Sequence, residues 1–122
     1  MHEDSRTTVE DLKNVVQAYC EARDWDQFHD AKELAISITI ESAELLELFR
    51  FKSPEDMRRM FATPGSREQI GGELADVLFA LLRFAQLYNI DLTAEFFEKM
   101  KENERKYPVE KARGSNKKYD EL

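Results

Sequence analysis

A chain of 122 residues with 25 Asp and Glu against 18 Lys and Arg has room for one compact domain, and its net charge is −7. That charge argues against a general nucleic-acid binder, because phosphate contacts need a basic footprint. Four glycines and three prolines are too few for collagen-like, linker-rich or turn-dense all-β architectures. The one cysteine, Cys20, cannot make an internal disulfide, which fits a reducing compartment. No apolar run approaches the roughly 20 residues that span a bilayer, and the first ten residues lack the apolar stretch of a signal peptide. The chain reads as a cytoplasmic protein with no membrane and no nucleic-acid partner.

Helical periodicity predicts a first helix over about Val9 to Arg23, where Leu12, Val15, Val16, Tyr19 and Ala22 keep 3–4 spacing. Thr7 or Thr8 caps it, with Glu10 or Asp11 as the reciprocal partner. Asp24 to His29 has no clean period and reads as a loop. A second helix follows over about Ala31 to Phe51, with Asp30 and Glu33 as a capping pair. Its Ile36 to Ile40 segment alternates like a strand, but it sits inside a longer helical pattern. Ser53 and Pro54 open a short helix near 54–61. Thr63 to Ser66 reads as a break. A third main helix covers about Arg67 to Tyr88, capped by Ser66 with Gln69, and a fourth covers about Leu92 to Lys106 before Pro108 stops it. The expectation is a single all-α domain over 1–122, a bundle of about four main helices, with 1–7 and 109–122 as tails, the latter ordered by substrate.

Certain acids occupy positions where a bundle wants hydrocarbon. On the second helix Leu34, Ile38, Leu45 and Leu48 form a stripe, and Glu41 falls on it. Glu44, three residues on, points the same way. On the third main helix the stripe is Ile70, Val77, Leu81, Phe84 and Tyr88; Glu73 falls on it, and Asp76 is the only polar residue in Leu74 to Leu82. Acids on helices are usually solvated, but two pairs on two apolar stripes are not the usual case. Desolvated carboxylates repel one another, and they must protonate or find a cation. No Lys or Arg holds a matching stripe position; Arg83 lies two turns from Asp76. A bound divalent cation resolves the conflict, and all-oxygen ligands suit Mg2+ first and Mn2+ second. A di-iron carboxylate centre would need Glu-x-x-His on two helices, and neither His2 nor His29 provides it.

Glu-x-x-Glu followed after 28 residues by Glu-x-x-Asp resembles the MazG-like all-α nucleoside triphosphate pyrophosphohydrolases. Arg23 to His29, Glu47 to Lys52, Lys99-Met100 with Asn103, Lys106 to Val109, and Arg113 to Ser115 with Lys118-Tyr119 resemble the dCTP pyrophosphatase branch. The resemblance covers about residues 8 to 120. It implies that Glu41, Glu44, Glu73 and Asp76 are catalytic and bind Mg2+. It also implies hydrolysis of a nucleoside triphosphate between the α and β phosphates, with dCTP or a base-modified dCTP as the expected substrate and nucleotide-pool cleansing as the use. A polyphosphate needs positive charge, and from Lys99 to Lys118 eight Lys and Arg stand against three acids. Lys99, Asn103, Lys106, Tyr107, Arg113 and Lys118 are therefore the expected phosphate-side contacts. Trp25, Phe28 and His29 precede the first acid pair in a loop where a base could stack, and Phe51 is expected to close the pocket.

The chain departs from the family in places that bear on the choice of base. Ile40 stands where many members carry Glu, as an apolar residue also does in the dCTP branch. Phe51 stands where vertebrate-like members have a second tryptophan, Ala80 where they have tyrosine, and Val16 where they have histidine. Gly71 and Gly72 weaken a helix unless a backbone, a neighbouring helix or a ligand must come close there. The third main helix is apolar on more than one face, and Phe96-Phe97 adds to the excess. Oligomerisation is expected to complete the core, and the family resemblance implies a homodimer or homotetramer. The rival reading is a non-catalytic helical interaction module whose acidic face binds a basic partner.

Overall fold

The computed structural model describes residues 2–122. Every regular element among them is helical: α1 Val9–Ala22, α2 Ala31–Glu47, α3 Pro54–Ala62, α4 Pro64–Leu87, α5 Leu92–Lys106 and α6 Val109–Ala112. Single 3-10 turns lie at Asp4–Arg6, Asp26–Phe28 and Tyr119–Glu121. The all-α expectation holds, and the alternating run from Ile36 to Ile40 lies within α2. No helix among the described residues is long and apolar enough to cross a membrane.

The chain divides into two compact units, one ending at Asn89 and the other Ile90–Leu122. In the first, α4 packs against α1, α2 and α3. Its buried apolar side chains are Val16 and Cys20 from α1, Leu34 from α2, and Ile70, Ala80, Leu82 and Ala85 from α4. Burial of a Val, Leu or Ile is worth about 1.5–3 kcal/mol, so these few residues carry much of the unit's cohesion. Burial also pushes the Cys20 thiol above its ordinary pKa, which leaves it a small, protonated core side chain.

Side-chain caps set most helix starts. Thr8 and Asp11 form a reciprocal box on α1, with Asp11 N–H donating to Thr8 Oγ1 at 3.0 Å and Thr8 N–H to Asp11 Oδ2 at 2.9 Å. Ser53 and Asp56 repeat it on α3. At α2 only the Asp30 half of the expected pair forms, accepting from Glu33 N–H at 2.8 Å. Each such cap is worth about 1 kcal/mol.

Two boundaries differ from the sequence reading. The break expected at Thr63 to Ser66 is the first turn of α4, with Thr63 as N-cap and Pro64 at the first helical position. Proline there gives up an N–H that would have had no partner, and its φ is already helical. The helix expected to reach Phe51 ends at Glu47. Tight turns follow, with Phe49 N–H donating to Leu46 O at 2.9 Å, and Phe51 then takes φ +64°.

In the second unit Pro108 separates α5 from the single turn of α6. Tyr119 sets its ring edge-on to Tyr107 at 6.1 Å, and the Lys106 ammonium lies 4.9 Å from the Tyr119 ring centre. These contacts bring the last residues back to the end of α5.

A left-handed backbone is costly for a bulky residue, and the Phe51 side chain is 90% exposed, so it returns little packing energy. Phe51→Gly is therefore expected to raise stability by about 0.5 kcal/mol despite the lost ring. Urea denaturation measures it, and a clear loss would show that the ring packs.

Candidate metal centre

Helical spacing does most of the work at the acid cluster. Glu41 and Glu44 sit three apart on α2, and Glu73 and Asp76 sit three apart on α4, the helix packed against it. One carboxylate oxygen from each of the four lies within 4.8 Å of the other three. Glu41 and Glu73 are half-buried, while Glu44 and Asp76 are open to solvent. The Oε2 atoms of Glu41 and Glu73 are buried without a hydrogen-bond partner. Among the described residues no ion pair reaches any of the four.

Buried acceptors are ordinarily paired, and a lone one costs about 1–3 kcal/mol, more when charged. Desolvation pushes the Glu41 carboxyl above its ordinary value, followed by its hydrogen bonding with Glu44 and the charges of Glu44, Asp76 and Glu73. Two orphaned oxygens within four converging carboxylates fit a hard divalent cation held by oxygen alone.

Beyond the acids, α1 ends in a Schellman motif. Trp25 N–H donates to Cys20 O at 3.0 Å, Asp24 N–H to Glu21 O at 3.1 Å, and Asp24 takes the left-handed conformation at φ +56°. This turn delivers Trp25 to a cluster of rings. Trp25 meets Tyr19 edge-on at 5.5 Å, Tyr19 meets Phe79 of α4 at 5.7 Å, and His29 lies 6.1 Å from Trp25. Trp25 and His29 thus come together, whereas Phe28 is 64% exposed and takes no part in this ring cluster. Phe51 also projects into solvent, with the Arg50 guanidinium 4.6 Å from its ring centre.

Arg83 is the residue that sequence reasoning missed. It is 1% exposed, the most deeply buried charged side chain among the described residues. Its Nε donates to His29 Nδ1 at 2.9 Å, its Nη1 to Gln86 Oε1 at 2.6 Å, and its Nη2 to Asp26 Oδ1. Burial first, and then the Arg83 charge, hold the His29 pKa below its ordinary value, while Asp26 pulls the other way. The expected α4 stripe ran through Leu81, which is 41% exposed; the buried positions around it are Ala80, Leu82, Arg83 and Ala85. Asp26 and His29, three apart in the preceding loop, were the available signal for a buried cation.

The expected phosphate-side residues belong to the second unit. Lys99, Asn103 and Lys106 lie on α5, Tyr107 caps its end, and Arg113 and Lys118 follow. Lys99 Nζ is 3.3 Å from Glu102 Oε2 and Lys106 Nζ is 3.1 Å from Glu102 Oε1. Hydrogen bonds from Lys106 and Lys99 hold the Glu102 carboxyl below its ordinary range. Gly71 and Gly72, just before Glu73, face open space: an added Cβ would meet nothing within 4 Å. No described residue lies close enough to explain them.

Comparison with known proteins adds the context. The MazG-like family matches residues 36–122. Cattle (Bos taurus) dCTP pyrophosphatase 1 is 36% identical over 118 residues, covering 97% of this chain and 70% of the relative. The human (Homo sapiens) dCTP pyrophosphatase 1 is 36% identical over 115 residues, covering 94% and 68%. The crystal structure of a pyrophosphatase from Archaeoglobus fulgidus DSM 4304 superposes with a TM-score of 0.76 at 33% identity, covering 88% of this chain and 98% of that one.

The Glu41 carboxyl, held above its ordinary 4.5, binds its proton more tightly in the folded chain than in the unfolded one. The stabilisation this gives is in place below the ordinary value and is lost as pH climbs through the raised value. Glu41→Gln is expected to raise the melting temperature of chelator-treated protein by about 2–5 °C at pH 7, and by less near pH 4. Added Mg2+ should raise the melting temperature of the parent chain more than that of the variant, because a ligand bound only by the folded state stabilises it. Thermal melts with and without chelator at both pH values check each point.

Proposed function

Because the chain belongs to the MazG-like family, we propose that it hydrolyses a nucleoside triphosphate to the monophosphate and pyrophosphate, with dCTP or a base-modified dCTP as substrate. The observation that carries this is the convergence of Glu41, Glu44, Glu73 and Asp76 with two orphaned buried oxygens. The relatives named dCTP pyrophosphatase 1 support the choice of substrate. Nucleotide-pool cleansing is the corresponding use.

The four carboxylates would hold Mg2+, or Mn2+ in its place. When bound, the ion supplies positive charge against the phosphoryl oxygens, where negative charge concentrates during transfer. The chain's own part is the rest. One carboxylate orients the attacking water and takes its proton, the water oxygen forms a bond to the α phosphorus, and the bond to the α–β bridging oxygen breaks so that pyrophosphate leaves. Glu41 and Glu73, half-buried, fix the geometry; Glu44 and Asp76 face the solvent from which substrate arrives. Trp25 and His29 serve the base, and Phe28 and Phe51 are further base-side contacts. Lys99, Asn103, Lys106, Tyr107, Arg113 and Lys118 answer the polyphosphate charge, in a reading carried by charge and by family resemblance.

The working unit in this proposal is a homodimer or homotetramer. Ile36, Ile40 and Leu46 on α2 and Leu74, Leu78 and Leu81 on α4 all expose large apolar surface. Such residues gain most from a second apolar face.

A panel of nucleoside triphosphates with Mg2+, scored for pyrophosphate against orthophosphate, tests the reaction. Pyrophosphate from dCTP is the expected result, and orthophosphate alone would mean that the wrong bond breaks. Asp76→Asn should lower kcat at least about 100-fold while the circular dichroism spectrum stays helical, because removing a charge relieves repulsion in the cluster. Full activity in that variant would take Asp76 out of the site.

A further inference from the structure

Arg83 places a fixed charge inside the first unit for which the acid cluster has no use. It is fully buried, yet two of its partners, His29 and Asp26, come from the loop that also carries Trp25. A guanidinium cannot accept a hydrogen bond, so the Nε–H of Arg83 makes Nδ1 of His29 an acceptor. The ring proton of the neutral imidazole then sits on Nε2. Among the described residues Nε2 has no hydrogen-bond partner, and the ring is only half-buried. The result is a donor of settled polarity, beside an aromatic ring, with nothing among the described residues to receive its proton.

Its place along α4 matters. Asp76, Ala80 and Arg83 recur at steps of four and three and so share one face of the helix. Seven residues of helix rise about 10 Å, comparable with the reach from the phosphates to the base of an extended nucleotide. Ala80 between them carries only a methyl group and is buried, as Arg83 is. A nucleotide with its phosphates at the acids would bring its base to the Trp25–His29 end.

We propose that Arg83 is a positioning residue for base recognition: it holds His29 as an Nε2–H donor, which engages an acceptor on the base, either a ring carbonyl oxygen or an unprotonated ring nitrogen. This rests on the reading of the acid cluster as a nucleotide site. Asp26 completes the device by accepting from Nη2 of the same guanidinium, and the charged groups that face His29 are Arg83 and Asp26. With Arg83 removed, Asp26 would face the imidazole alone and favour its protonation, so the donor would become charged and the ring less constrained.

The first test uses the parent chain. Long-range proton–nitrogen NMR of the 15N-labelled protein at pH 7 should show His29 neutral with its proton on Nε2. A proton on Nδ1, or an imidazolium, overturns the proposal. The second test compares Arg83→Met on two substrates, the best nucleoside triphosphate of the panel and the corresponding deoxyribose triphosphate without a base. The variant should lose about tenfold in kcat/KM on the nucleotide, mostly through KM, and change less than about twofold on the base-free compound. Equal losses on both substrates, or no loss, overturn the proposal. If Arg83→Met does not fold, His29→Gln and His29→Phe replace it. The glutamine amide can still donate and should keep most of the nucleotide activity, whereas phenylalanine should lose about tenfold; equal losses in the two overturn the proposal. A parent chain that releases no pyrophosphate from any nucleotide would sink the functional reading itself, whereas the NMR spectrum tests the pairing of Arg83 with His29 independently of turnover.

Discussion

Four negative groups on two touching helices are forced together, and the first unit is organised around that repulsion. Glu41 and Glu73 are half-buried on helices that pack against each other, α2 and α4. Part of the folding energy thereby goes into holding an unfavourable arrangement ready. A bound cation would recover it, and the recovered part would make the arrangement useful as a binding site.

How much of this could be read from the sequence depends on how local the cause is. Caps and turns involve neighbours a few residues apart, so Thr8, Asp30 and Ser53 behave as their chemistry dictates. The two acid pairs were legible for the same reason, since a polar residue on an apolar stripe violates a short-range pattern. The phase of α4 beyond Asp76 was not. Leu81 looked inward because it is leucine, but α4 meets three other helices, and the inward positions are set by all of them together. Arg83 was opaque for a related reason. Its burial is tolerable only because partners 54 and 57 residues earlier in the chain arrive beside it, and no window along the sequence contains that fact.

Phe51 marks another limit. A helical pattern can be followed past the point where the chain leaves the helix, since apolar spacing says nothing about φ. The left-handed turn sets this ring in water just past the end of α2 rather than in the core. The glycine pair before Glu73 is similar in kind: no described residue comes close enough to require it.

Glu102 on α5 carries a consequence of its own. By bridging Lys99 and Lys106 it makes this stretch of helix behave like an ion exchanger already loaded with a resident anion. On the proposed reading an incoming polyphosphate would displace that anion instead of meeting bare cations, so the electrostatic gain would be a difference between two pairings. The dependence of binding on ionic strength should then be shallower than the number of lysines alone would imply.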